Sequence, residues 1–276
     1  MLTTRELIDI ALKEDIGSGD ITTASIVDPS MKGRGAMIAK EALIIAGMDV
    51  AKQVFLQLDP HVRFTSAFED GDEIGLGETV LEIDGGFTTL LLGERTALNF
   101  LQRLSGIATN VRGYVEALAG SNVRLVDTRK TTPAWRVLEK YAVRIGGAYN
   151  HRMGLYDGVL IKDNHIAVAG GIEKAVKRIR DSVSHLIKIE VEASSLSEVR
   201  QALRCSADVI MLDNMDVPQI KDAVAIIRGR ARVEVSGGVT CSNLVELAGT
   251  GVDMISVGAF THSSRSVDIS MTIEPS

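Results

Sequence analysis

Apolar residues in the second half of the chain come in short runs that stop abruptly at a charged residue or a glycine. Six follow one another: Val123–Lys130, Gly158–Asn164, Leu186–Glu192, Asp208–Asn214, Arg232–Gly238 and Asp253–Gly258. Short β-rich runs separated by helical stretches predict parallel strands in βα units. From Lys162 the later endings Glu192, Asp213, Ser236 and Gly258 follow at intervals of 30, 21, 23 and 22 residues. That is the length of a strand, a loop and a helix together, so the spacing predicts an α/β barrel or a doubly wound sheet.

The first hundred residues are patterned differently. A helix is predicted over 3–14, where Thr3 and Glu6 have capping-box spacing and Leu7, Ile8, Ala11 and Leu12 form one stripe. A strand is predicted over 35–46, then a helix capped by Asp49, and strands over 62–68 and 79–83 with Glu-Asp-Gly-Asp and Asp-Gly-Gly turns. A long helix is predicted from Thr88 to Leu118, with a break at Ser105-Gly106 as an option. The alternating segment Val267–Ile273 is expected to return and pair with this first region.

The endings of the six runs carry the candidate chemistry, because parallel α/β barrels place their sites at the carboxyl ends of the strands. Thr128-Arg129-Lys130 and Lys162 are basic endings, and Asn150-His151-Arg152 follows a glycine pair. Arginine matches planar carboxylates and lysine serves phosphates as a point charge. Several cations around one mouth repel one another unless an anion joins them. Glu192 and Asp213 are acids that need partners, and an oxygen-only Mg²⁺ site or ribose hydroxyls would supply them. Glu190 shares a strand face with Glu192, so either could be the functional acid. The turns Ser236-Gly237-Gly238 and Val257-Gly258-Ala259 are candidate phosphate loops. Arg95, read from its own segment, is a surface arginine on a helix.

The formal net charge of −6 and an aromatic content of 4% oppose a nucleic-acid binder. The charge is nevertheless uneven: from Arg124 to His165 eight Arg/Lys face four Asp/Glu. Cys205 and Cys241 form no metal or redox motif, which fits a reduced cytoplasmic setting. Neither a secretory leader nor an apolar run near the roughly 20 residues of a membrane span is evident.

The segments Asp127–Pro133, Glu139–Arg144, Asn150–Leu155 and Leu160–His165 strongly resemble the quinolinate phosphoribosyltransferase family, decarboxylating enzymes of NAD biosynthesis. The resemblance extends over Glu14–Thr22, Glu94–Asn99, Arg103–Thr109, Glu190–Glu192, Met211–Asn214, Glu234–Gly238 and Val257–His262. Three departures stand out. Ala134-Trp135 replaces the family's usual Gly-Leu, Ala148 stands where a third glycine is common, and Phe260 stands where leucine is common.

The resemblance implies an α/β fold: an N-terminal α/β sandwich domain (1–104 and 266–276) and a C-terminal open six-stranded parallel α/β barrel (105–265). It implies a homodimer in which each barrel is closed by the partner's first domain and Arg95 crosses to the partner's site. It further implies that Arg129, His151 and Arg152 hold the two carboxylates of quinolinate, with Thr128 and His262 also in the substrate site. Lys130 and Lys162 would serve the pyrophosphate of 5-phosphoribosyl-1-pyrophosphate (PRPP) and the reacting ring. Glu192 and Asp213 would hold the ribose hydroxyls and Mg²⁺, the metal largely through PRPP and water. Three rival readings are a phosphoribosyltransferase of the molybdenum-utilisation or nicotinate type, a Schiff-base phosphosugar lyase using Lys162, and a silent nucleotide-binding protein. The Arg129/His151/Arg152 set favours quinolinate.

Overall fold

A computed structural model describes residues 2–276, which divide into two compact units. The first comprises the chain up to Arg112, Thr132–Gly147 and Ser264–Ser276; the second comprises Gly113–Thr131 and Ala148–Ser263. In chain order the first unit holds α1 (Thr4–Ile16), α2 (Ile21–Ile26), β1 (Lys32–Ala39), β2 (Leu43–Ile44), α3 (Met48–Leu58) and β3 (Arg63–Thr65). It continues with β4 (Glu73–Ile74), β5 (Thr79–Gly86) and most of α4 (Phe87–Ala117). After β6 (Arg124–Val126) of the second unit comes α5 (Arg136–Ile145) of the first. The second unit resumes with β7 (Val159–Ile161), α6 (Asp163–Ala169), α7 (Ile172–Ser182), β8 (Ile189–Ala193) and α8 (Leu196–Arg204). It ends with β9 (Val209–Asp213), α9 (Val217–Ile227), β10 (Arg232–Ser236), α10 (Cys241–Ala248), β11 (Met254–Ser256) and α11 (Ala259–His262). The last strand, β12 (Ile269–Pro275), belongs to the first unit.

In the first unit, β12, β1, β5 and β3 form an antiparallel sheet in that order. The C-terminal strand pairs with β1 as the alternation of 267–273 predicts. The capping box of α1 forms, with Glu6 N–H donating to Thr3 Oγ1 at 3.2 Å and Thr3 N–H to Glu6 Oε2 at 2.7 Å. The strand expected over 35–46 is two pieces. The break falls at Glu41, whose carboxylate turns aside to the Arg265 guanidinium and the Asp268 N–H. Asp49 does not cap α3. The N-cap is Gly47, and the capping carboxylate is Asp70 from the Glu69–Asp72 turn, which accepts from Gly47 N–H at 2.8 Å and Met48 N–H at 3.0 Å. A distant acid thus satisfies the helix's orphan donors.

Helix α4 runs without a break through Ser105-Gly106. Glycine serves close approach there: a Cβ on Gly106 would lie 2.1 Å from the Arg265 carbonyl oxygen. Ser105 Oγ bonds both the N–H and the carbonyl of Ala46, so the small residues knit the helix to the neighbouring chain. Ala134 is a true strain point. Its φ is 67°, a left-handed conformation costly for any residue with a Cβ. Its neighbour Trp135 stacks on Phe100 with ring centroids 4.6 Å apart and planes 17° apart, which fixes the turn. Ala134→Gly is expected to raise stability by about 0.5–1 kcal/mol in urea unfolding; an unchanged or lower midpoint would show the turn to be unstrained.

The second unit is a six-stranded parallel sheet in the order β6-β11-β10-β9-β8-β7. The free edge of β6 is met by one bridge to Tyr149, and β6 and β7 do not pair, so the barrel is open. Val191, Ile210, Leu212, Val235 and Ile255 are buried on one face of the sheet. The register aligns Glu192 with Met211, Met211 with Glu234, and Asp213 with Ser236. Strand alternation therefore sends Glu190, Glu192, Asp213, Glu234 and Ser236 to the same, opposite face. Among the described residues no helix is long and apolar enough to cross a membrane.

Candidate active site

The carboxyl ends of these strands surround a cavity of about 710 Å³. Its wall brings together Thr128, Arg129, Lys130, His151, Arg152, Lys162, Asp213, Ser236, Gly237, Gly238, Gly258, Ala259 and His262. Three expected residues stand elsewhere. Glu192 is half-buried on β8 and reaches the cavity through its ion pair with Lys162 Nζ. Val257 is buried beneath its loop, and Arg95 is exposed on α4 in the first unit.

Each basic residue is positioned by local chain geometry. After β6 the chain turns as Lys130 N–H donates to Thr128 Oγ1 at 3.1 Å, and Thr261 Oγ1–H donates to the Lys130 carbonyl at 2.8 Å. Buried Asp127 organises the next loop, accepting from His151 N–H at 2.8 Å and Asn150 Nδ2 at 2.6 Å. Arg152 Nη1 donates to the Gly158 carbonyl at 2.9 Å, which aims the guanidinium along the cavity wall. Burial and, next, the positive field of Arg129 lower the Arg152 pKa below the usual arginine value.

The glycine turns after β10 and β11 supply backbone to the same cavity. Gly237 and Gly238 have φ of 97° and 60°, and a Cβ on Gly237 would sit 2.2 Å from Asn214 Oδ1. Only glycine permits that approach, and the exposed N–H groups suit an anion. Asp213 Oδ2 accepts from Asn214 Nδ2 at 2.8 Å. Asp213 and Glu192 stand on the same face of adjacent strands β9 and β8, and hard oxygen donors of this kind are the ones Mg²⁺ takes.

Residues 107–272 match the family described as quinolinate phosphoribosyl transferase, C-terminal domain, and residues 20–105 match its N-terminal domain. The chain belongs to the quinolinate phosphoribosyltransferase family. It is 44% identical over 272 residues to the probable nicotinate-nucleotide pyrophosphorylase [carboxylating] of Bacillus subtilis, covering 99% of this chain and 94% of that one. It is 39% identical to quinolinate phosphoribosyltransferase [decarboxylating] 2b, mitochondrial, of Nicotiana tabacum, over 98% of this chain and 82% of the relative. The crystal structure of NadC from Streptococcus pyogenes superposes with a TM-score of 0.96 at 42% identity, covering 100% of this chain and 99% of that one.

In this quinolinate phosphoribosyltransferase family member, three acids join the site that sequence reasoning did not single out or left open. Asp127 and Glu234 lay inside recognised motifs without an assigned role, and Glu190 was an alternative to Glu192. Alternation along Arg232–Ser236 was the signal for Glu234, since it shares the face of Ser236. His151 Nε2 lies 2.9 Å from Glu190 Oε2 and 3.6 Å from Glu234 Oε2. These three side chains offer ligand atoms within 4.8 Å of one another.

Burial, followed by the charge of Glu190, pushes the Glu234 carboxyl up to about 8. The sign of the pH effect follows. Between about 4.5 and about 8 the folded chain keeps a proton that the unfolded chain releases, so stability falls as pH rises through that window. The expected slope is on the order of 1 kcal/mol per pH unit. Urea midpoints from pH 5 to 8 should decline for the native chain and be flatter for Glu234→Gln; equal slopes would contradict a protonated Glu234.

Proposed function

We propose that this chain transfers the phosphoribosyl group of PRPP to quinolinate with decarboxylation, giving nicotinate mononucleotide, pyrophosphate and CO₂. The observation that carries the reading is a single cavity lined by Arg129, Arg152, Lys130, Lys162 and two glycine turns. Two forked cations suit a planar diacid, and the lysines and backbone N–H groups suit a phosphorylated sugar beside it. Membership of the family supports the same chemistry.

Arg129 and Arg152, with His151 beside them, orient quinolinate so that its ring nitrogen faces C1 of the ribose. The Gly237-Gly238 and Gly258-Ala259 turns take the 5′-phosphate, and Glu192 and Asp213 take the ribose hydroxyls. The C1–oxygen bond breaks with its electron pair leaving on pyrophosphate, and the ring nitrogen forms the new bond to C1. Lys130 and Lys162 offset the charge that develops on pyrophosphate, while Glu192 and Asp213 face the cationic sugar; preorganised charges of this kind typically contribute about 3–4 kcal/mol each. The ring, now cationic, accepts the electron pair left at C2 when CO₂ departs, and C2 then takes a proton. Mg²⁺, held by Glu192 and Asp213 with PRPP and water, would neutralise pyrophosphate charge. Arg95 completes the site from the partner of a homodimer, adding a third guanidinium to the diacid.

The test is release of labelled CO₂ from the quinolinate 2-carboxylate. Release that requires both PRPP and Mg²⁺ is expected. Nicotinate conversion in its place, or turnover without PRPP, would overturn the reading.

A further inference from the structure

Two acids at the base of the cavity take part in none of the steps above. Glu234 is 1% exposed and Glu190 is 7% exposed, and both sit on the inner face of the barrel strands. One carboxyl oxygen of each, Oε1, is buried and has no hydrogen-bond partner among the described residues. Two acids buried together are costly, and such a pair persists where it performs a task. Their other oxygens point at His151 Nε2, at 2.9 Å from Glu190 and 3.6 Å from Glu234. On its far side the ring meets the chain again, where Arg152 N–H donates to His151 Nδ1 at 2.8 Å.

That last bond decides what the group is. A nitrogen that accepts a hydrogen bond carries no proton, so Nδ1 is bare and the ring proton resides on Nε2. Nε2–H then donates to the Glu190 carboxylate. A divalent cation held by the same three residues through Nε2 would need that nitrogen bare and Nδ1 protonated, which opposes the Arg152 N–H. The arrangement is a hydrogen-bonded line from the barrel floor through His151 to the Arg152 backbone.

We propose that Glu190 and Glu234 are positioning residues for the diacid end of the substrate: they hold the His151 ring in one tautomer and orientation, and through its Nδ1 they hold the backbone of Arg152. This inference rests on the quinolinate reading for its kinetic consequence but not for its spectroscopic one. Glu190 makes the direct bond. Glu234 sits against Glu190 and His151 and keeps water and other donors from the pair. Because its carboxyl is pushed upward, an amide of the same shape should replace it well.

Nitrogen NMR of ¹⁵N-histidine-labelled protein, with His151→Gln to assign the signal, tests the tautomer without substrate. The native chain at pH 7 should show His151 neutral with its proton on Nε2, and Glu190→Ala should abolish that pattern. In steady-state assays, Glu190→Ala and Glu234→Ala should raise KM for quinolinate by about tenfold while KM for PRPP stays within about twofold. Glu190→Gln and Glu234→Gln should recover to within about threefold of native, since the amide oxygen still accepts from Nε2–H. A His151 signal with the proton on Nδ1, or one equivalent of transition metal retained by native protein against EDTA, would overturn the proposal. So would an unchanged quinolinate KM in folded Glu190→Ala, or equal rises for both substrates. If the native enzyme fails to turn over quinolinate at all, the functional reading falls while the tautomer result still stands or fails by itself.

Discussion

Arg129→Ala is expected to lower kcat/KM for quinolinate by about two to three orders of magnitude, with the fold intact. Truncating one member of a desolvated, hydrogen-bonded charge pair costs roughly 2–5 kcal/mol, and each 1.4 kcal/mol is a factor of ten. Arg129 stands just past β6 on the turn fixed by Thr128 Oγ1, and it is exposed, so no core atom is lost. Its removal also relieves the part of the Arg152 shift that ranks second to burial. Arg129→Lys keeps the charge but not the fork, and should fall between native and alanine. Isothermal titration with quinolinate, alongside urea unfolding, separates the two effects. A folded Arg129→Ala chain that binds quinolinate as tightly as native would remove Arg129 from the diacid site.

The features that sequence made legible are those written at short range. Six strand endings follow from the runs of apolar residues, because alternation and abrupt polar stops are local; five of them line one cavity, and the sixth, Glu192, joins it through Lys162. The capping box of α1 is equally local. What escaped depends on residues far apart in the chain. Asp70 caps α3 from 22 residues or more away, so Asp49, the acid in the expected place, was the natural but incorrect choice. Gly106 reads as a helix breaker by propensity, yet its purpose is the close approach of the Arg265 backbone 159 residues later. Glu234 and Glu190 read as ordinary strand acids until His151, from a loop 39 residues before Glu190, is seen between them. Ala134 was visible as a departure from the family motif, but its cost is a backbone angle, which composition does not disclose.

The sharpest test of the assembly uses two inactive chains. Arg95→Ala and Lys162→Ala subunits, each alone, should retain little activity, whereas their mixture should recover about a quarter of native activity through symmetric pairing at random. The value follows from counting. Equal mixing makes half of the dimers hybrid, and if Arg95 acts across the interface each hybrid has one site lacking both residues and one site complete. If Arg95 acted within its own subunit, each hybrid site would lack one residue and nothing would return. The first case is what the family resemblance implies for Arg95. It is exposed on α4 with Asn99 one turn later, while Thr96, Ala97 and Leu98 between them are buried. Lys162 is held in the barrel unit by Glu192. Mixed dimers isolated with two different affinity tags and assayed for PRPP-dependent CO₂ release give the answer. Hybrids that form and remain inactive would place Arg95 outside the partner's site.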